Sequence, residues 1–324
     1  MHTRPVGRLA ALPAVLVIAA GALPAPVRAD DDFWQAIAEP HADQVRALVE
    51  RAGRLMTDAS SFLYADQDPT GAGRVRRLDE AYRLLRRARE LSPANPDVLC
   101  ALGRAADESG RTAAAVEAFT ACLERQTTAA AEIHLRLGTL YLRQGDRDAA
   151  VQHLRTAEAT RNAYVAAAAV VHLAALLEDT GRTGQAIAAL EGFATPVASG
   201  YGNGDVTLVA FALAVAYDRD EQLTSAWHAL DRLQSGLGGG YGGQVLTAMA
   251  ALRLVPAVDV HYWQALLYES LGKLTEARAE WLHYAAGGEA ARFRDRALAH
   301  VAGIDRLLAG AVGARRPPAR GIER

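Results

Sequence analysis

The feature that most constrains this chain is an internal repeat. The stretch from Val98 to Glu124 shares its pattern with the stretch from Ile133 to Ala159. Each contains a Leu-Gly pair, a second glycine seven residues later, and then a small, a large apolar and another small residue. The matching positions are Leu102, Gly103, Gly110, Ala115, Phe119 and Cys122, followed 35 residues later by Leu137, Gly138, Gly145, Ala150, Leu154 and Ala157. Self-similarity at a fixed period of this length indicates an array of stacked units.

The residue types explain what each unit has to be. Gly103 and Gly138 let two helices approach closely, and Gly110 and Gly145 end the first helix of each unit in a tight turn. A single pair of helices cannot bury its own apolar face, so neighbouring units must stack on each other. No stretch of the sequence predicts a β-strand convincingly. The pattern therefore predicts an all-α fold.

These residues resemble the tetratricopeptide repeat family over roughly residues 78–286. The resemblance is strong in the second, third and sixth units and weaker in the fourth and fifth, where alanine replaces the close-packing glycine. It implies a right-handed α-solenoid of about six helical hairpins. The remaining matches are Ala81, Leu85, Ala88 and Pro93; Leu173, Ala174, Leu177, Gly181, Ala186 and Leu190; Leu213, Ala214, Tyr217, Ala226 and Leu230; and Ala265, Tyr268, Gly272, Ala277 and Trp281.

The ends of the chain differ from the repeats. Residues 1–29 have the basic start, the apolar stretch and the small-residue site of a signal peptide cleaved near Ala29, which predicts a periplasmic or secreted protein. We expect N-terminal capping helices and a loop over 30–77, the solenoid over 78–308, and a basic tail without fixed structure over 309–324. After cleavage, no stable insertion in a membrane is expected.

Two glycine-rich segments raise the question of a ligand site. Gly238, Gly240 and Gly243 match G-x-G-x-x-G by letter, but a dinucleotide fingerprint needs a preceding strand, and the preceding residues are helical in pattern. Flexible loops between repeats are the favoured interpretation. The alternatives are a small ligand or glycan held at residues 200–205 and 236–243, or a contact patch formed by Tyr201 and Tyr241. Residues 244–254 predict an extra short helix.

Other candidate chemistry is sparse. His134, His153 and His172 are evenly spaced, but we expect the hairpins to scatter them over different faces, and they lack the spacing of a compact metal site. No serine or cysteine lies in a motif that would activate it. We therefore predict no catalytic residue, no cofactor, no metal and no enzyme. Cys100 and Cys122 could form a disulfide in an oxidising compartment, but the family resemblance separates them and favours two buried thiols.

The resemblance also implies a concave groove lined by the first helix of each hairpin, where relatives of this family bind peptides. Some members of the family bind a partner's C-terminal carboxylate with Lys and Asn on neighbouring first helices, and this chain has neither residue type at those positions. What remains is an apolar floor with mostly acidic edges, which suits an apolar or amphipathic partner segment carrying basic residues. Equally, these residues could pack against each other in a tight superhelix. The predicted groove residues are Arg104, Leu135, Thr139, Arg143, Val171, Glu178, Phe211, Val215, Asp218, Tyr262, Leu266 and Glu269.

The predicted function is a protein–protein interaction scaffold or adaptor in a bacterial cell envelope. The formal net charge of −2 and the lack of a clustered basic face argue against a nucleic-acid partner. Two alternatives remain open. One is an accessory subunit or enzyme that uses the glycine-rich segments, and the other is a structural protein that self-associates through its repeats.

Overall fold

In the computed structural model, every regular element of the described residues is a helix. These residues are 41–60, 71–125, 130–194 and 204–315. The signal peptide predicted over 1–29 lies outside them. The α-helices are α1 Ala42–Ser60, α2 Ala72–Leu91, α3 Pro96–Glu108, α4 Thr112–Leu123, α5 Ala130–Gln144, α6 Arg147–Glu158, α7 Ala163–Asp179, α8 Thr183–Ala194, α9 Gly204–Arg219, α10 Leu223–Leu237, α11 Tyr241–Leu252, α12 Asp259–Ser270, α13 Leu274–Ala285 and α14 Arg294–Arg315.

The helices pack as consecutive antiparallel pairs. The pairs are α1–α2, α3–α4, α5–α6, α7–α8, α9–α10 and α12–α13, while α14 packs on α13. The all-α solenoid of about six hairpins predicted from the repeat is confirmed. Helix α14 continues to Arg315, so residues 309–315 of the predicted tail are helical.

The turn within each later hairpin shows why glycine recurs there. Gly110, Gly145, Gly181 and Gly272 all have φ between 70° and 80°, a left-handed conformation that glycine adopts without steric cost. In the fifth hairpin Glu221 occupies the equivalent position with φ 60°. Its amide still donates to the carbonyl of Asp218, and the next amide to that of Tyr217, so the turn is kept although a side chain replaces the glycine.

Close approach of the paired helices is visible at the two Leu-Gly positions. A Cβ atom placed on Gly103 would lie 2.5 Å from the ring of Phe119, and one on Gly138 would lie 2.7 Å from the side chain of Leu154. These distances are shorter than any van der Waals contact, so both glycines are required by packing rather than by backbone conformation.

Among residues 41–60, 71–125, 130–194 and 204–315, none of the helices has the length and apolar character that crossing a bilayer requires.

Candidate functional site: the concave side of the hairpins

Most of the predicted groove residues are buried in the isolated chain. Arg104 and Arg143 are exposed, and Leu135 and Glu269 are half-buried. The rest lie in the interior: Thr139, Val171, Glu178, Phe211, Val215, Asp218, Tyr262 and Leu266. Phe211, Val215, Tyr262 and Leu266 are at most 1% exposed. The sequence left open whether these apolar side chains line a groove or pack against each other. The structure has them packed in the core, so they form no open apolar floor.

Helix α11 is the reason why this half of the concave side is closed. It packs against α9, and its apolar residues belong to the same buried cluster as Val171 and Phe211. At its end, the carbonyl of Leu252 is 3.0 Å from Nε2 of His172 on α7. The extra helix predicted over 244–254 is confirmed, with bounds Tyr241–Leu252. Its apolar residues recur at steps of three and four, namely Val245, Ala248, Met249 and Leu252, which indicated a buried face but not the surface it covers.

Three clusters of buried ion pairs reinforce this closed half. The first, the Asp107 cluster, joins distant parts of the chain. The Asp107 carboxylate, 1% exposed, pairs with Arg143, with Arg136 at 3.5 Å and with Arg253 at 2.6 Å. Arg253 follows α11, so its contact ties that helix to α3, which lies 146 residues earlier in the chain. A buried carboxylate with several guanidinium partners keeps its charge compensated.

The second, the Arg219 cluster, lies between α7, α9 and α12. Arg219 pairs with Glu178 at 2.6 Å and with Asp259 at 3.0 Å. Its guanidinium lies 4.6 Å from the ring centroids of both Tyr262 and Phe293, a cation–π arrangement on each face. Burial raises the pKa of Glu178, and Arg219 partly opposes that effect. The cluster borders a cavity of about 280 Å³ whose rim carries both signs of charge.

The third, the His300 cluster, centres on a histidine of α14. Nε2 of His300 is 3.1 Å from Asp218, Nδ1 is 2.8 Å from Glu269, and the ring stacks on Trp281 with centroids 4.3 Å apart. Asp218 also pairs with Arg296 at 2.5 Å. Burial alone would lower the pKa of His300, but the hydrogen bonds to the two carboxylates raise it to about 9.

Asp218 is shifted in the opposite direction. Burial alone would raise the pKa of this carboxyl, but the hydrogen bonds from His300 and Arg296 lower it to about 2. The acidic residues predicted as the edge of the groove, Glu178, Asp218 and Glu269, are therefore paired with basic side chains of the same chain. They do not form a free acidic rim.

Among the described residues, nothing closes the N-terminal half of the concave side. A cavity of about 560 Å³, here called the N-terminal cavity, lies between α1, α2 and α3. Its wall is apolar at Val49, Met56, Leu85 and Ala101, and its edge carries Arg104 and Glu108. Glu108 is 13% exposed at its side chain, and Oε1 lies 3.7 Å from Arg253. Oε2 is buried and has no hydrogen-bond partner among the described residues.

Comparison with known proteins agrees with this architecture. The sequence matches the tetratricopeptide repeat family over residues 70–131 and 135–200. Residues 70–131 and 135–200 therefore consist of tetratricopeptide repeats. The presence of these repeats supports a role as a protein–protein interaction scaffold. No curated protein matches the chain.

Several solved structures are similar to this chain. MamA is 23% identical, with 53% of this chain and 95% of MamA covered and a TM-score of 0.41. A tetratricopeptide repeat protein from Parabacteroides merdae is 12% identical, with 78% and 99% covered and a TM-score of 0.43. The C-terminal part of a repeat-containing protein from Cytophaga hutchinsonii is 14% identical, with 79% and 100% covered and a TM-score of 0.45.

The second glycine-rich segment of this repeat protein is not a loop. Helix α10 runs to Leu237, a 3₁₀ turn spans Gly238–Gly240, and α11 begins at Tyr241. The Tyr241 side chain is 1% exposed, and its hydroxyl is 3.0 Å from that of Ser270. The predicted loop and the contact patch at Tyr241 were therefore wrong. Residues 200–203 of the first segment lie outside the described residues.

Two predictions about side-chain pairs were also wrong. Cys100 and Cys122 form a disulfide, with Cα atoms 5.3 Å apart, because both side chains face the interior between α3 and α4. His134 and His153 are not scattered over different faces, because α5 and α6 bring their Nδ1 atoms to 2.8 Å. Burial lowers the pKa of both rings, and for His153 the neighbouring His134 adds to the effect. His172 lies apart from them, beside Leu252.

Proposed function

We propose that this protein is an exported interaction scaffold that binds a partner segment in the N-terminal cavity. The observation that carries the proposal is the buried Oε2 of Glu108 at the edge of an apolar cavity, which has no hydrogen-bond partner in the described part of the chain. A buried carboxylate oxygen without a donor costs free energy. A donor supplied by a partner would remove that cost.

The shape and lining of the cavity favour a polypeptide segment. The wall formed by Val49, Met56, Leu85 and Ala101 can receive an apolar side chain, and buried apolar anchors supply most of the affinity at such interfaces. Glu108 can then accept a hydrogen bond from a lysine or arginine of the same segment, which selects an amphipathic, basic partner. This is the partner type predicted from the sequence, at a different place on the concave side.

An envelope or extracellular location is part of the same proposal. The first 29 residues have the features of a secretory signal. The Cys100–Cys122 disulfide is of a kind that forms and persists in oxidising compartments. N-terminal sequencing of the protein recovered from the producing cells, after fractionation, tests this part: a mature chain that starts after Ala29 in the envelope or the medium is expected, and an uncleaved cytosolic chain contradicts it.

The binding part is tested by crosslinked capture from envelope extract with the oxidised chain of residues 30–324, followed by mass spectrometry. Met56→Glu places a charge in the apolar wall, and Glu108→Gln removes the acceptor charge with little change of shape. Val151→Glu and Glu117→Gln make the same changes at exposed positions of α6 and α4 and serve as matched controls.

We expect both cavity variants to lower recovery of the crosslinked partner about tenfold or more, while both controls recover it as the unchanged protein does. Far-ultraviolet circular dichroism should remain unchanged for all four. Equal capture by Met56→Glu, Glu108→Gln and the controls would remove the N-terminal cavity as the binding site.

A further inference from the structure

A second potential site lies on the sixth hairpin, away from the N-terminal cavity. His261 of α12 and Glu280 and His283 of α13 place one ligand atom each within 4.8 Å of one another. Nδ1 of His261 is 2.7 Å from Oε2 of Glu280, and Nδ1 of His283 is 3.9 Å from the same oxygen. Within the described part of the chain, no other three His, Cys, Asp or Glu residues come together in this way.

The scaffold below these side chains is fixed. Ala265 on α12 and Ala277 on α13 are fully buried where the two helices pack. Glu280 and His283 are three residues apart on one helix, so they share a face. The side chains themselves are free to adjust, because His261 and His283 are 36% and 66% exposed.

The spacing suits a tetrahedral metal centre. Zinc bonds of about 2.0–2.2 Å to imidazole nitrogen and carboxylate oxygen place neighbouring ligand atoms roughly 3.4 Å apart. The two observed separations, 2.7 and 3.9 Å, lie on either side of that value. The side chains of His261 and His283 are 36% and 66% exposed, which leaves both imidazoles room to rotate toward that spacing.

Within this cluster, only one of the two histidines is hydrogen-bonded to Glu280. Glu280 is within hydrogen-bond distance of His261, whereas His283 at 3.9 Å is too far for a hydrogen bond. A divalent ion would use all three side chains at once and offset the negative charge of Glu280. Glu276, one turn earlier on α13, adds to the negative potential.

We propose that His261, Glu280 and His283 bind a divalent transition-metal ion of the zinc class, with the fourth coordination position open to solvent. Two imidazoles and one carboxylate match zinc, whereas calcium and magnesium prefer sites made of oxygen ligands alone. The ion would connect α12 to α13 on the outside of the solenoid. The sequence conceals this site because 19 residues separate His261 from Glu280.

The test uses the oxidised chain of residues 30–324 without an affinity tag, titrated with zinc chloride by calorimetry and with cobalt chloride by visible absorption. We expect one equivalent to bind and the cobalt spectrum to be that of a tetrahedral site. His261→Ala and His283→Ala should each weaken zinc binding at least tenfold. His228→Ala, at an exposed histidine of α10, should change nothing.

Protons compete with the metal for imidazole nitrogen, so the affinity should fall as the pH decreases. His134→Ala is the second control, because the His134–His153 pair is another place where zinc could bind. Binding that is lost in His134→Ala and kept in His283→Ala would overturn the proposal. So would a double variant His261→Ala/His283→Ala that binds zinc as the unchanged protein does, or an unchanged protein that binds none.

Discussion

The His300 cluster makes the stability of the fold depend on pH. The pKa of His300 is raised from 6.5 to about 9 in the folded chain, so the folded state holds this proton more tightly than the unfolded state. The stabilisation is fully present below about pH 6.5 and is lost as the pH rises through about 9. A difference of one pKa unit between the folded and the unfolded state corresponds to about 1.36 kcal/mol. The stabilisation by the proton on His300 therefore totals about 3 kcal/mol.

The side chain is only 6% exposed, so solvent screening reduces this value little. The groups that face His300 come from three other helices: Asp218 on α9, Glu269 on α12 and Trp281 on α13. Between about pH 7 and about pH 9.5, the linkage relation gives a loss of about 2 kcal/mol in the free energy of unfolding. Other histidines with a lowered pKa, such as His172 at about 4, act below this range.

The assay is urea unfolding of the oxidised chain at several pH values across this range, followed by circular dichroism. His300→Gln keeps a polar side chain of similar size but cannot titrate, so its free energy of unfolding should be nearly constant between about pH 7 and about pH 9.5. Nuclear magnetic resonance of the ring should show a protonated imidazole at about pH 8. Parallel stability curves for the two proteins, or a neutral ring at that pH, would refute the reasoning.

Two further predictions concern a turn where glycine is introduced and a helix contact where glycine is removed. Glu221→Gly should stabilise the chain by up to about 1 kcal/mol in urea unfolding, because glycine relieves the left-handed φ of 60° at this turn. Glu221→Ala is the control, because alanine keeps the strain. An equal gain in both variants would contradict the explanation. Gly103→Ala should destabilise by about 1–3 kcal/mol, because the new Cβ would lie 2.5 Å from Phe119. Gly53→Ala on α1, where no other described residue lies within 4 Å of the new Cβ, should instead stabilise slightly. Equal effects of the two changes would show that overpacking at Gly103 is not the cause.

The sequence predicted the features that depend on neighbours within one hairpin. The turn at Gly110 and the close contact at Gly103 follow from residue size and backbone conformation alone, so the repeat was sufficient to locate them. The position of α11 is different in kind. Its apolar stripe indicates only that it is buried, and the contacts that fix it, from Leu252 to His172 and from Arg253 to Asp107, join residues 80 and 146 positions apart.

The same limitation explains the errors about side chains. The family resemblance assigned Cys100 to the groove and Cys122 to the packing layer. In the structure, the N-terminal part of α3 lies opposite the last turn of α4, so both sulfur atoms meet in the interior. The sequence predicted an acidic edge at Asp218 because it gave no sign of the basic side chains that pair with this carboxylate. His300 is 82 residues away, and no local pattern connects the two.

The closed and the open half of the concave side differ in whether the chain itself pairs its buried carboxylates. In the closed half, each buried carboxylate has a guanidinium or imidazole of the same chain beside it, as Asp107 has Arg253 and Asp218 has His300. Binding there would first have to break a buried pair, which costs several kcal/mol. At the open half, one oxygen of Glu108 is buried without a donor from the described residues, so a basic partner gains a hydrogen bond there without displacing one of these. A basic partner segment is therefore favoured at the N-terminal cavity over the paired carboxylates of Asp107 and Asp218.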